Sequence, residues 1–168
     1  MTSATQTATT TQVHRVYIRA TPEAIWDAIT KPEWTDRYGY GGFPEYDLRP
    51  GTPYCIRAGS EMSTYPGVPE VVIDGEIVEA DPPRKLVQTW RMLMDAALEA
   101  EGFTRLTHEI QEIEGGACKL TVIHELDGAP KLASMLAGDR EAEGAGGGWA
   151  WVLSDLKSLL ETGKRLAD

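Results

Sequence analysis

The chain has 168 residues, of which 42% are hydrophobic and 25% are charged, which suits one globular domain that buries its core without metal or disulfides. Its 16 basic and 26 acidic residues give a net charge of −10, which excludes proteins that hold a nucleic-acid backbone through clustered Lys and Arg. The two cysteines, Cys55 and Cys118, lie in separate strand-like segments. We expect buried thiols in a reducing compartment, with a disulfide left open by the sequence.

The N-terminal residues 1–12 are small and polar, and they lack the basic and apolar regions of a signal peptide. They predict a disordered tail. No stretch approaches about 18 uninterrupted apolar residues, so we expect a cytoplasmic protein without membrane insertion.

The first predicted elements are a strand and a helix. Residues 13–20 alternate between an apolar and a wetter side, which is typical of a strand. Thr21 then fits a helix N-cap and Pro22 fits the first helical position. The helix is expected to end near Lys31 because Pro32 follows it.

The following segment, to residue 126, predicts an antiparallel meander. "YDLRPGTPYCIRAG" predicts two strands around a turn at Pro50 and Gly51, with Tyr54 and Ile56 on one face. "VVIDGEIVEADPPRKLVQTWRM" predicts two more strands around residues 81–83. The second of these places Gln88, Trp90 and Met92 on one side.

The clearest hairpin surrounds the turn at Gly115 and Gly116. Counting back from that turn places His108 roughly opposite Val122 and His124 roughly opposite Leu106. The two imidazoles are then diagonal neighbours on one face, roughly 7–8 Å apart at the backbone. If this face lines a cavity, burial should lower both pKa values below the usual ~6.5.

A short helix is expected over residues 131–138, then a flexible hinge, then a long helix that stops at Gly163. An apolar stripe on the long helix contains Trp149 and Leu153. Trp151 falls outside this stripe, on the side of Asp155. We expect the 131–138 segment to cover it, with a dimer surface or a non-helical first turn as alternatives.

Five motifs, in this order, resemble the START-like (SRPBCC) superfamily, and within it the branch of the activator of heat-shock-protein-ninety ATPase homologues (AHSA-type). They are "ATPEAIWDAIT", "DLRPG", "GEIVEADPPRKLVQTW", "TRLTHEIQEIEGGACKLTVIHEL" and the final "GGW…VLSDLKSLLE". The resemblance implies an α+β helix-grip fold. In this fold a curved antiparallel sheet, here of about six or seven strands, wraps around the long C-terminal helix and leaves an internal apolar cavity. The expected organisation is a tail at 1–12, one domain at 13–163 and a C-terminal tail at 164–168.

The candidate ligand-binding residues combine the strand faces with the apolar stripe of the last helix. They are Tyr54, Ile56, Gln88, Trp90, His108, His124, Trp149 and Leu153. For the histidines, packing or ligand orientation is weighed against exposure and proton transfer. "HEIQE" and "HELDG" lack the second histidine of a zinc helix, no structural-zinc spacing occurs, and no serine lies in a nucleophile elbow. We therefore expect no metal, no cofactor and no assigned catalytic residue.

The superfamily contains lipid and sterol carriers and polyketide cyclases, so fold alone does not fix the activity. The favoured hypothesis is binding of a small hydrophobic or amphipathic molecule, such as a lipid, sterol or polyketide, by a monomer or weak homodimer. The first alternative is an enzyme of the polyketide cyclase or hydrolase kind that uses the cavity histidines. The second is a chaperone-associated or other protein-interaction role.

Overall fold

A computed structural model describes residues 10–143 and 146–166. Within these residues, seven strands form one antiparallel sheet, in the order β1-β7-β6-β5-β4-β3-β2. The strands are β1 (Thr11–Ile18), β2 (Phe43–Glu45), β3 (Pro53–Arg57), β4 (Val71–Asp81), β5 (Lys85–Met92), β6 (Thr104–Ile113) and β7 (Ala117–Glu125). The helices are α1 (Pro22–Thr30), α2 (Pro32–Thr35), α3 (Ala96–Ala100), α4 (Pro130–Leu136) and α5 (Gly148–Thr162). The predicted α+β helix-grip fold is confirmed.

The start of α1 follows from its sequence. The hydroxyl oxygen of Thr21 accepts a hydrogen bond from the amide of Ala24 at 3.1 Å, and Pro22 occupies the first turn, where its missing N–H costs nothing. Lys31 is extended, as expected for a residue that precedes a proline. This break separates α1 from the single turn of α2.

The strand predicted over residues 46–49 is wrong. The strand that pairs with β3 is β2, which ends at Glu45, and the chain then forms a loop. Thr52 folds this loop by donating its hydroxyl to the carbonyl of Asp47 at 2.5 Å, and the amide of Gly51 bonds to the carbonyl of Ile77 at 2.8 Å. These bonds fold the loop on itself and tie its end to β4.

The β6–β7 hairpin has the register predicted from its glycines. His108 pairs with Val122, and Leu106 pairs with His124. Gly115 and Gly116 have φ values of 87° and 77°, which a residue with a Cβ rarely adopts, so the turn position is fixed by sequence. The faces of β6 and β7 are therefore also fixed.

Helix α5 packs its apolar stripe on the core and ends where predicted. Leu153, Leu156 and Leu159 are buried. Gly163 has a left-handed φ of 78°, and its amide bonds to the carbonyl of Leu159 at 2.9 Å. At the other end, Gly148 lies so close to α4 that a Cβ there would be 2.0 Å from the carbonyl oxygen of Leu136.

The described residues at the two chain ends form β1 and contacts with α5. β1 begins at Thr11, while residues 1–9 of the expected tail lie outside the described residues, as do 144–145 in the expected hinge and 167–168. Arg165 and Leu166 pack back on Asp155, which is fully buried. The carboxylate of Asp155 also accepts the amide of Gly39 at 2.8 Å, so it ties the C-terminal residues to the loop after α2.

Candidate functional site

A cavity of about 1060 Å³ lies between the sheet and the N-terminal half of α5. Its walls come mainly from β2 to β6, from the loop after α2, from the end of α4 and from the first turns of α5. Most of the lining side chains are aliphatic, aromatic or methionine. The methionines are Met62, Met92, Met94 and Met135.

The eight predicted site residues divide into two groups. Ile56, Gln88, Trp90, His108 and Trp149 line the cavity. The other three belong to the layer behind the wall, and these are Tyr54, His124 and Leu153. The strand and helix periods assign a side chain to a face, but they do not separate a wall residue from the one that supports it.

His124 is fully buried, and both of its ring nitrogens have partners. The hydroxyl of Thr104 lies 2.9 Å from the carbonyl oxygen of Trp90, which can only accept, so the hydroxyl hydrogen is used there. The same hydroxyl oxygen is 2.7 Å from Nε2 of His124, which must therefore carry the proton and donate. Nδ1 then accepts from the indole N–H of Trp149 at 3.2 Å.

This assignment makes His124 a neutral imidazole that supports the cavity wall. Burial lowers its pKa to about 3, with smaller contributions from His108 and His14. Its ring also contacts Trp90 edge-to-face, with centroids 5.2 Å apart. His124 therefore fixes two wall tryptophans and has no nitrogen left for a ligand.

His108 and Gln88 have the opposite status. Within the described part of the chain, the buried side-chain polar atoms without a hydrogen-bond partner are Nδ1 of His108 and Oε1 of Gln88. Both residues line the cavity, and the exposed fraction of Gln88 is 1%. Burial lowers the pKa of His108 to about 4, so its ring is neutral at neutral pH.

The side chains of Tyr46 and Tyr54 lie close to Gln88. Burial raises the pKa of Tyr46 to about 12, and the nearby Gln88 side chain opposes the rise. Burial also raises the pKa of Tyr54, whose hydroxyl donates to the carbonyl of Thr89 at 2.6 Å. Both phenols stay protonated, so this end of the cavity holds no anion from them.

We call the side of the cavity with exposed lining residues its mouth. Tyr40 is 40% exposed and Tyr65 is 60% exposed, and both line the cavity. Trp151 also lines it, together with Arg165. The side of α5 that the helical wheel placed away from the core is covered at Asp155, because the loop after α2 and the C-terminal residues pack over it.

Sequence reasoning missed the loop of residues 38–42, "YGYGG", which supplies five lining residues. Its hydroxyls are structural: Tyr38 donates to the carbonyl of Ala28 at 2.9 Å, and Tyr40 accepts the amide of Gly148 at 3.0 Å. The available signal was an aromatic, glycine-rich segment between a helix and a short strand. Such a segment brings its backbone close to a neighbouring element.

Over residues 10–143 and 146–166, no cluster of His, Cys, Asp and Glu has the arrangement of a metal site. Over the same residues, no helix is both long and apolar enough to cross a bilayer. Cys55 and Cys118 are free thiols.

A seven-stranded antiparallel sheet that packs against a long C-terminal helix defines the chain as a helix-grip protein of the SRPBCC type. The particular family follows from a family-model match over residues 19–161. The chain belongs to the family described as "Activator of Hsp90 ATPase homolog 1-like protein".

Solved structures share the fold at low identity. The Aha1 dimer from Colwellia psychrerythraea is 18% identical over 92% of this chain and 98% of its own, with a TM-score of 0.61. DynU16, from the dynemicin biosynthetic locus, is 20% identical over 92% of this chain and 48% of its own, with a TM-score of 0.62. PFC0360w, an HSP90 activator from Plasmodium falciparum, is 21% identical over 68% of this chain and 71% of its own, with a TM-score of 0.53. No curated protein sequence matches the chain.

Proposed function

We propose that this protein binds a small hydrophobic or amphipathic molecule in the cavity between the sheet and α5. The observation that carries the proposal is a cavity of about 1060 Å³ with mostly apolar walls and two buried polar atoms that lack partners. Ligand pockets commonly combine apolar walls with a few polar groups that fix orientation. The two free thiols are consistent with a cytoplasmic protein, which is part of the proposal.

The first experiment is native mass spectrometry of the freshly purified protein, to detect a co-purifying small molecule. A second measurement titrates the neutral dye N-phenylnaphthylamine, whose fluorescence rises in apolar surroundings. Ile56→Trp fills the cavity from β3 and should weaken dye binding by about tenfold or more, because the apolar volume that receives the dye is lost. Val13→Trp on the exposed side of β1 is the matched control and should leave dye binding unchanged.

Absence of a co-purified molecule, together with equal dye binding by Ile56→Trp and the control, would reject the proposal. A protein-interaction role, which the name of the family suggests, would then become the better explanation. The observation that favours ligand binding over that role is that side chains leave the cavity unfilled.

Catalysis is a second candidate because His108 is a neutral imidazole with an unpartnered nitrogen in the cavity. Such a group can act as a general base, typically worth about 10²-fold or more in rate. Once the bound molecule is identified, His108→Gln separates the two functions. A binding protein keeps most of its affinity, whereas an acid–base enzyme loses turnover by about that factor.

A further inference from the structure

The inference in this subsection rests on the proposed function and concerns the chemistry of the ligand. We propose that the ligand carries an uncharged hydrogen-bond donor, of the alcohol or phenol class, which binds at the polar pair (Gln88 and His108) with its apolar body directed toward the mouth.

The geometry of the sheet brings the polar pair together. Gln88 on β5 lies opposite Leu106, and His108 on β6 lies opposite Leu86. The two residues are therefore diagonal neighbours on one face, about 7–8 Å apart at the backbone. Both side chains reach the same cavity, so one ligand can contact both.

The orphaned atoms determine which group they bind. Oε1 of Gln88 can only accept, so its partner must donate. Neutral His108 leaves Nδ1 either as an acceptor or as an N–H donor. A hydroxyl donates its single hydrogen to Oε1 of Gln88, and its oxygen then accepts from His108 in the form that carries the proton on Nδ1. Leaving such buried atoms unpaired costs about 1–3 kcal/mol each, which a matching ligand recovers.

The charges around the cavity disfavour an anionic group at this position. Among the described lining residues the charged side chains are Glu61, Asp95 and Arg165. Arg165 is already paired, with its guanidinium 3.2 Å from the carboxylate of Asp155. An anion at the polar pair would be buried without a cation, which is costly in an apolar site.

The exposure of the lining residues sets the orientation. Among the large hydrophobic residues of the lining, Tyr40 and Tyr65 are the exposed ones, while Gln88 is almost completely buried. The polar group of the ligand therefore enters first, and its apolar body contacts the walls nearer the mouth. Flexible methionines such as Met92 and Met94 line the same cavity, and they adapt to bodies of different shape.

The test uses four probes with one aromatic body: pyrenemethanol, its methyl ether, methylpyrene and pyrene carboxylate. Binding is measured by energy transfer from the cavity tryptophans to pyrene. The quantity compared is the selectivity ratio, the Kd of methylpyrene divided by the Kd of pyrenemethanol. This ratio is measured in the wild type and in each variant, so differences in the hydration of the two probes cancel.

We expect Gln88→Leu to lower the selectivity ratio by about five- to tenfold, the value of one hydrogen bond. Gln111→Leu, the same substitution at an exposed position of β6, is the control and should leave it unchanged. His108→Leu should lower the ratio as well, and it serves as the test if Gln88→Leu does not fold. The methyl ether cannot donate a hydrogen bond. The wild type should therefore bind it with about the Kd that Gln88→Leu shows for pyrenemethanol.

Three outcomes are decisive. If neither Gln88→Leu nor His108→Leu changes the selectivity ratio, the inference is overturned. If methylpyrene still binds in that case, the proposed function is unaffected. Tighter binding of pyrene carboxylate than of pyrenemethanol also overturns it. Failure of all four probes to bind, with no co-purified molecule, counts against the proposed function itself.

Discussion

His108 and His124 lie on neighbouring strands of the same sheet face, diagonal to each other, and both are held neutral by burial. They nevertheless differ in every hydrogen bond. His124 has a partner for each nitrogen, supplied by Thr104 and Trp149. His108 has a buried Nδ1 with none. The comparison shows that burial alone does not identify a binding residue. The unmet hydrogen bond is what supports His108 as the proposed ligand contact, because a ligand can supply it.

The largest expected effect is a difference in the free energy of unfolding between variants of the two histidines. His124→Leu removes the acceptor of the partly buried Trp149 indole and a fully buried ring that contacts Trp90, so we expect the free energy of unfolding to fall by about 2–3 kcal/mol. His108→Leu removes an atom that had no partner and should change it by less than about 1 kcal/mol. Urea unfolding followed by circular dichroism measures both. Equal losses would remove the distinction between the two residues.

The second prediction concerns pH. The pKa is about 4 for His108 and about 3 for His124 in the folded protein, against about 6.5 in the unfolded chain. The unfolded chain takes up these protons first as the pH falls. Their contribution is therefore complete above about pH 6.5 and is lost as the pH falls, down to about 4 for His108 and about 3 for His124, by up to about 1.4 kcal/mol per pH unit for each histidine.

His108→Leu removes one of these two contributions, so the free energy of unfolding of the variant should depend less steeply on pH. Urea titrations at pH 6.5, 5.5 and 4.5 compare the two slopes. The carboxylates titrate alike in the wild type and in His108→Leu. The difference between the two slopes therefore reports the contribution of His108 alone. Parallel curves would contradict the assignment of His108 as a buried neutral group.

A smaller effect tests the tautomer of His124. Trp149→Phe keeps an aromatic ring but removes the donor to Nδ1, so stability should fall by about 1 kcal/mol. Nitrogen-15 NMR of the histidine rings should find the proton of His124 on Nε2 in the wild type, and a changed Nδ1 shift in the variant. Trp151→Phe is the matched control and should leave the His124 signals in place. A proton found on Nδ1 in the wild type would disprove the proposed hydrogen-bond chain.

The smallest expected effect is a gain. Gln88→Leu replaces a buried amide oxygen that has no partner, so we expect the free energy of unfolding to rise by about 0.5 kcal/mol. The same variant should lose selectivity for the alcohol probe. Thermal unfolding measures the first effect, and a lowered Tm would indicate that Gln88 serves the core.

Much of the framework could be predicted from local patterns. The register of His108 and His124 was predictable because two adjacent glycines fix the turn and the strand period fixes the faces. The end of α5 was predictable because Gly163 alone supplies a left-handed residue there.

The roles within the site were not predictable in the same way. Whether a histidine is satisfied depends on Trp149, which is 25 positions from His124 in the chain, and no local pattern reports that contact. The burial of Asp155 is a similar case. A helical wheel places it outside, and its partners come from distant segments, namely Gly39, Arg165 and Leu166.

The close approach of Gly148 to α4 sets the position of one wall of the cavity. The start of α5 rests directly on the backbone of Leu136, with no side chain between them, and the hydroxyl of Tyr40 holds its amide. Trp149 is the next residue, so the reach of its indole to His124 follows from this contact. A single added methyl group at Gly148 would clash with this backbone, so the start of α5 and the indole of Trp149 would have to shift relative to α4.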